Sequence, residues 1–176
     1  MKAEILEEGR AWKLDDNVTT DLIISGRYFH LRSNLEELAK HVLEDAQLHG
    51  TDKKFIEVVQ KGDFIVGGRN FGLGSSREHA PTVIKIAGVS AVLAKSFARI
   101  FFRNAINIGL HAIECDTDGI ENSDRIRIDL KEGYVENRTK GTKIPFRPLP
   151  EIMLRILEDG GLASHVAKNK GFALIS

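Results

Sequence analysis

The period of the apolar positions changes several times along this chain, and each change marks an element. Ile5, Leu6, Trp12 and Leu14 give residues 3–14 a strand-like pattern, the polar DDNVTTD that follows is rich in turn formers, and Leu22-Ile23-Ile24 predicts a short strand. From Asn34 the period becomes helical: Leu35, Leu38, Ala39, Val42, Leu43 and Ala46 fall on one face, with Asn34 as N-cap and Glu37 at the capping-box position. Phe64-Ile65-Val66 reads as a buried strand, SSREHAPTVIKIAG as a turn and a helix ending at Gly88, and SAVLAKS as a further buried strand. Ser96 is placed to cap a helix over FARIFFRNAIN that Gly109 ends, and LHAIEC follows as a strand.

Two successive strand-helix units with short joints imply a parallel sheet covered by helices. Beyond Gly119 the alternation changes again. Arg125–Leu130, Tyr134-Val135 and Ile144–Phe146, separated by EG, NRTKG and proline turns, predict a short antiparallel section, and EIMLRILEDGG predicts a C-terminal helix stopped by Gly160-Gly161. The expected fold is a single α/β domain over residues 1–176, three-layer or barrel-like, with mixed parallel and antiparallel strands flanked by helices.

Composition narrows the chemistry. The 176 residues suit one well-buried domain, and 25 Lys and Arg balance 25 Asp and Glu, so the overall charge asks for neither nucleic acid nor an anionic membrane. The first ten residues carry no apolar signal-peptide core and charges interrupt every long apolar run, which makes the cytoplasm the expected compartment. A single cysteine, Cys115, excludes an intrachain disulfide and a four-thiolate zinc or iron-sulfur site built from this chain alone. The six histidines lack the spacing of a metal site.

The densest chemical signal is GGRNFGLGSSREH, residues 67–79. Glycines at 67, 68, 72 and 74 allow positive φ and let backbone N–H groups approach a ligand, and Pro81 fits only the first turn of a helix starting near His79 or Ala80. Ser75–Glu78 then sit at a helix mouth, where N–H groups and the dipole favour an anion and Arg77 adds a charged fork matched to a carboxylate. The structural alternative is a capping box, since Ser75-Ser-Arg-Glu78 fits S-x-x-E. The loop is not G-x-S-x-G, Walker A or G-x-G-x-x-G, because no glycine follows the serines, the lysine is missing and Arg77 replaces the third glycine.

Four blocks carry a resemblance: DDNVTTDLIISGRY, NFGLGSSREHAP, AVLAKSFARIFFRNAINIGL and PLPEIMLRILEDGGL, in that order along nearly the whole chain. Together they resemble the small subunits of 3-isopropylmalate dehydratase (isopropylmalate isomerase), the separate-chain form of the swivelling domain of aconitase-type hydro-lyases. The resemblance implies dehydration and rehydration of a hydroxy acid in leucine biosynthesis. It also implies a large-subunit partner that carries a [4Fe-4S] cluster, no cofactor bound by this chain, and a small di- or tricarboxylic acid as substrate.

By position the resemblance makes Ser75 the base that removes the proton alpha to a carboxylate and Ser76 and Arg77 substrate ligands, with Gly72, Leu73 and Gly74 supplying loop backbone. Leu73 stands where many relatives have cysteine. Asp21, in the Thr19-Thr20-Asp21 element, is a substrate-side candidate whose alternative is an Asx turn or cap. GRYFHLRSN, residues 26–34, occupies the place of the loop that reads the variable substrate arm, and Arg32 is its candidate, the alternative being a plain exposed arginine. Isopropylmalate is expected, with homoaconitate, citrate-like acids and dimethylmalate open. In SFARIFFRNAIN, Arg99, Arg103, Asn104 and Asn107 are expected on a polar face of structural or interfacial role, beside an apolar face of Phe97, Ile100, Phe101 and Ile108. The rival from another class is a non-catalytic anion-binding assembly module.

Overall fold

A computed structural model describes residues 4–170, so Ala3, the first residue of the N-terminal strand pattern, lies outside the described residues. The strands are β1 (Ile5–Lys13), β2 (Phe64–Val66), β3 (Ala91–Ala94), β4 (His111–Glu114), β5 (Arg125–Asp129), β6 (Tyr134–Asn137) and β7 (Thr142–Pro145). The helices are α1 (Thr20–Ile23), α2 (Leu35–Ala39), α3 (Phe55–Val58), α4 (His79–Ile86), α5 (Arg99–Asn107), α6 (Glu151–Glu158) and α7 (Leu162–Asn169). The strands form one seven-stranded sheet in the order β4-β3-β2-β1-β5-β6-β7, a curled half-barrel with flanking helices.

Strand β1 is the seam between two kinds of pairing. It runs parallel to β2, and β2, β3 and β4 continue in parallel, whereas β5, β6 and β7 extend the other edge antiparallel. A shift of register between Leu6 and Gly9 bends β1 where the two halves meet. The parallel strands are apolar on both sides, because Ile65, Val92, Ala94 and Ala112 pack under the helices while Phe64, Val66, Leu93 and Ile113 fill the other face. On the antiparallel side Ile126 and Ile128 point into that second core, and Arg125 lies exposed.

Several local expectations meet a tertiary competitor. Leu22-Ile23-Ile24 is not a strand: the Thr19 hydroxyl accepts from the Leu22 N–H at 3.0 Å and a single helical turn forms instead. Asn34 does cap α2, its side chain accepting from the Glu37 N–H at 3.3 Å, but Glu37 turns to Lys40 at 2.6 Å rather than completing the box. The helix expected to reach Ala46 ends at Ala39, because Leu43 takes φ 52° and donates its N–H to the Ile23 carbonyl at 2.8 Å. Ser96 does not cap α5, since its hydroxyl accepts from the Asn70 N–H at 2.8 Å.

Of the apolar face expected along α5, Phe101 is buried together with Ala105 and Ile106, but Ile100 is exposed. After Gly160-Gly161 the chain starts α7, whose buried residue is His165.

Candidate active site

The glycine-serine loop leaves the C-terminal end of β2, among the parallel strands, where α/β sheets open toward ligands. Its anchor is Phe71, fully buried, whose N–H donates to the Ser96 carbonyl at 3.0 Å and whose ring meets Phe97 and Phe101 edge-on. Gly72 follows at φ 83°, pressed so close to Phe101 that a Cβ would run into the ring. The Gly72 N–H donates to the Val18 carbonyl at 2.7 Å, and the Thr20 N–H donates to the Leu73 carbonyl at 2.8 Å. These bonds stitch the loop to the segment before α1.

Ser75 and Ser76 then stand exposed, and α4 begins at His79. The capping-box alternative is not realised: Glu78 is the N-cap of α4 without a side-chain bond, and the Ser75 side chain faces Thr20. Thr20 Oγ1 accepts from the Ser75 N–H at 3.1 Å and lies 3.1 Å from Ser75 Oγ.

Arg77 reaches across to the same segment. Its Nη1 lies 3.5 Å from Asp21 Oδ1 and 3.4 Å from the Ile24 carbonyl, long contacts that hold the guanidinium loosely. Asp21 also accepts from the Gly26 N–H at 3.0 Å, five residues on rather than the two of an Asx turn, while it faces the arginine. Arg32 lies in the capping turn of a 3₁₀ segment, Gly26–Leu31, with its guanidinium 4.6 Å from the centre of the Phe29 ring. Arg77 approaches the same ring at 5.9 Å and His79 meets it edge-on. Phe29, 46% exposed, thus links the two arginines.

Ser75, Ser76, Arg77, Asp21 and, through Phe29, Arg32 therefore share one face with the exposed Leu73 and Gly74, whereas Gly72, expected to offer backbone there, is buried with its N–H spent on the Val18 carbonyl. Sequence reasoning missed three contributors to that face: Thr20 beneath Ser75, Phe29 between the arginines, and Asn104, whose Nδ2 lies 3.5 Å from the Ser76 carbonyl. Thr20 stood beside Asp21 in the quoted element, and its burial at 3% exposure and its contact with Ser75 set it apart from Thr19, which caps α1.

Chemically, the face offers a hydroxyl, a cation and glycine backbone on open surface. A groove of about 810 Å³ lies elsewhere, between Phe97, Phe102, Phe146 and Met153, and touches none of these residues. The residues do not fit an iron-sulfur cluster. Burial pushes the Cys115 thiol up to about 12, and among the described residues no three His, Cys, Asp or Glu gather to hold a metal ion. No helix among the described residues is long and apolar enough to cross a membrane.

Known proteins share this chain's sequence and fold. Residues 16–118 match the model of the aconitase C-terminal domain. The 3-isopropylmalate dehydratase small subunit 2 of Archaeoglobus fulgidus is 60% identical over 161 residues, covering 92% of this chain and 94% of that protein. The methanogen homoaconitase small subunit of Methanothermobacter thermautotrophicus is 52% identical, covering 91% and 90%. A crystal structure titled 3-isopropylmalate dehydratase (leuD), from Methanocaldococcus jannaschii, superposes with a TM-score of 0.86 at 43% identity, covering 94% of this chain and 95% of that one. With a family match across the loop and its supports and relatives of this identity over nearly its full length, the chain belongs to the aconitase C-terminal domain family, in the group of its dehydratase small subunits.

Proposed function

We propose that the chain is the small subunit of a two-subunit 3-isopropylmalate dehydratase, a hydro-lyase that interconverts 2- and 3-isopropylmalate by removing and restoring water. In this reading Ser75 takes the proton from the carbon alpha to a substrate carboxylate: the C–H bond breaks, Oγ–H forms, and the electron pair becomes the new double bond as the hydroxyl leaves. Departure of the hydroxyl falls to the large subunit, whose [4Fe-4S] cluster the family resemblance implies and whose thiolate ligands this chain lacks. Arg77 pairs with the carboxylate as a planar fork, and Ser76 donates a further hydrogen bond.

A serine hydroxyl is too weak an acid to ionise unaided near neutrality, so its alkoxide depends on nearby donors and positive charge. The observation that carries the proposal is the exposure of Ser75 on a loop whose neighbours supply both: Thr20 Oγ1 at 3.1 Å and Arg77 on the same turn. An open face of this kind excludes water only when a second subunit covers it.

Ser75→Ala, assembled anaerobically with its large subunit, is expected to lose roughly 10²- to 10⁴-fold in kcat, the usual contribution of a positioned base. Turnover within a few-fold of the unaltered complex would remove Ser75 from the role. If no large subunit confers dehydratase activity and Arg77→Ala changes nothing, the assembly-module reading replaces this one.

A second reading, the small subunit of a homoaconitase, is favoured by one observation. Arg32 and Arg77 flank Phe29, 4.6 and 5.9 Å from its ring centre, so the arm-reading edge of the face carries a cation able to meet an additional carboxylate. Turnover of 2-isopropylmalate against homocitrate and citrate by the assembled pair separates the two.

A further inference from the structure

We propose that Thr20 is a positioning residue for Ser75, its hydroxyl fixing the Ser75 side chain and donating to Oγ when that oxygen carries charge. The inference rests on the reading of Ser75 as the base. The two adjacent threonines divide their work. Thr19 caps α1 through its own hydroxyl, which accepts from the Leu22 N–H at 3.0 Å, so the Thr20 hydroxyl plays no part in starting that helix. Thr20 instead turns away from α1 to a residue 55 positions on.

Either hydroxyl can donate in the neutral pair, and once Ser75 is ionised only Thr20 can. The Ser75 backbone N–H can only donate, and it donates to Thr20 Oγ1 at 3.1 Å, taking one of that oxygen's acceptor sites. The hydrogen on Thr20 Oγ1 is left over, and the other polar atom in reach is Ser75 Oγ, also at 3.1 Å. A hydrogen bond from Thr20 to Ser75 satisfies both oxygens and leaves the Ser75 proton free to go. Once Ser75 is ionised the same bond becomes charge-assisted, shorter and roughly twice as strong.

Burial makes the donor effective. Thr20 is 3% exposed, so water does not compete for its hydroxyl, and its branched Cβ limits the rotamers that hydroxyl can take. The loop is shaped for the approach: Gly74, at φ 120°, passes over Thr20 so closely that a Cβ there would lie 3.1 Å from Oγ1. The Thr20 backbone is tied separately, through its N–H to the Leu73 carbonyl at 2.8 Å, a bond that any replacement side chain keeps. Loss of the hydroxyl therefore removes both the donor to Ser75 Oγ and the acceptor of the Ser75 N–H, while the bond from the Thr20 N–H to the Leu73 carbonyl remains.

The experiment compares Thr20→Val, Thr20→Ala and Thr20→Ser with the unaltered chain, each assembled with its large subunit, rates being expressed per assembled complex. Thr20→Val is expected to lower kcat by roughly 10²-fold, the usual effect of removing one preorganised donor, with KM within about twofold. Without the donor the alkoxide is less favoured, so the limb of the kcat–pH profile that reports deprotonation moves to higher pH. Thr20→Ser, which keeps the hydroxyl, should restore kcat to within about threefold and return the limb.

If Thr20→Val does not assemble, Thr20→Ala gives the same reading without the bulk of the second methyl. An unmoved limb and unchanged kcat in the valine or alanine variant, with Ser75→Ala inactive, overturns the role of Thr20 and leaves Ser75 standing. A Thr20→Ser variant as slow as Thr20→Val also overturns it. An active Ser75→Ala complex removes the reading on which both depend.

Discussion

Two loops meet at the Phe29 ring, the glycine-serine loop around residues 71–78 and the 3₁₀ arm at Gly26–Leu31, and they are held by different forces. The first is held by backbone. Val18, Thr20 and Ser96 pair with the main chain of Phe71, Gly72 and Leu73, and a glycine lies flat on Phe101 where no side chain fits. The second is held by side chains, exposed at Arg27 and Asp45 and half-buried at Tyr28, His41 and Glu44. Arg27 forks onto Asp45 at 2.6 and 2.9 Å, the Tyr28 hydroxyl donates to Glu44, and the Tyr28 ring stacks on His41. The difference teaches where a change of substrate can be accommodated. A loop fixed by main-chain bonds keeps its chemistry whatever its neighbours become, whereas an arm fixed by surface charges can be re-aimed by a few substitutions.

The hardest test of that contrast is to place a methyl group in the first loop. Gly72→Ala puts Cβ into the Phe101 ring at a residue whose φ of 83° already disfavours any side chain. Overpacking and backbone strain together should lower the unfolding free energy by roughly 3 kcal/mol, read by denaturant titration. A loss below about 1 kcal/mol, the scale of an ordinary substitution, would show that the loop moves aside and that the contrast is overstated. Adding Phe101→Leu sharpens it. If the ring is the obstacle, the double variant regains part of the loss, and the coupling is measurable as a double-mutant cycle.

Arg77→Lys breaks the contrast at the point where the loops touch. Lysine keeps the charge but not the fork, and it no longer lies over Phe29 as a plane. The expected result is a fall in kcat/KM of about 10- to 100-fold, the range for one charge-assisted hydrogen bond, with the fold unchanged by circular dichroism. A variant indistinguishable from the original would mean that Arg77 serves the Asp21 and Ile24 contacts alone.

The same contrast explains what was legible in the sequence. The buried strands could be read because Phe64-Ile65-Val66 and Ala91–Ala94 are uninterrupted apolar runs, and β5 because Ile126 and Ile128 alternate with charge. The start of α2 was written in Asn34, but its end was set by the distant Ile23 carbonyl that captures the Leu43 N–H. Helix α7 was hidden because it follows a double glycine and buries a histidine rather than an apolar stripe, His165 bonding to Asp159 at 2.7 Å.

At the site, the glycine loop announced itself by composition and resemblance. Thr20 did not, because its function is a contact with a residue 55 positions away, and only the folded chain brings the two hydroxyls together.

The smallest effect separates the loops by acidity. The Tyr28 hydroxyl holds the Glu44 carboxyl below its ordinary value, and the Arg27 hydrogen bond does the same for Asp45, with Lys54 adding to both. A carboxylate depressed on folding contributes stability that is complete above its unfolded pKa, about 4 for these groups, and is lost as pH falls through the folded value. As both groups protonate below about pH 4, the arm at residues 26–31 should lose amide-exchange protection, corrected for the intrinsic pH dependence, while Phe71 and Gly72 keep theirs. Asp45→Asn should reproduce the loosening of the arm near neutral pH and weaken substrate binding by a few-fold at most, since exposed ion pairs contribute little. If both loops open together in acid, the side-chain network and the backbone stitch form one cooperative unit. The arm would then be no freer to change its substrate than the loop is to change its base.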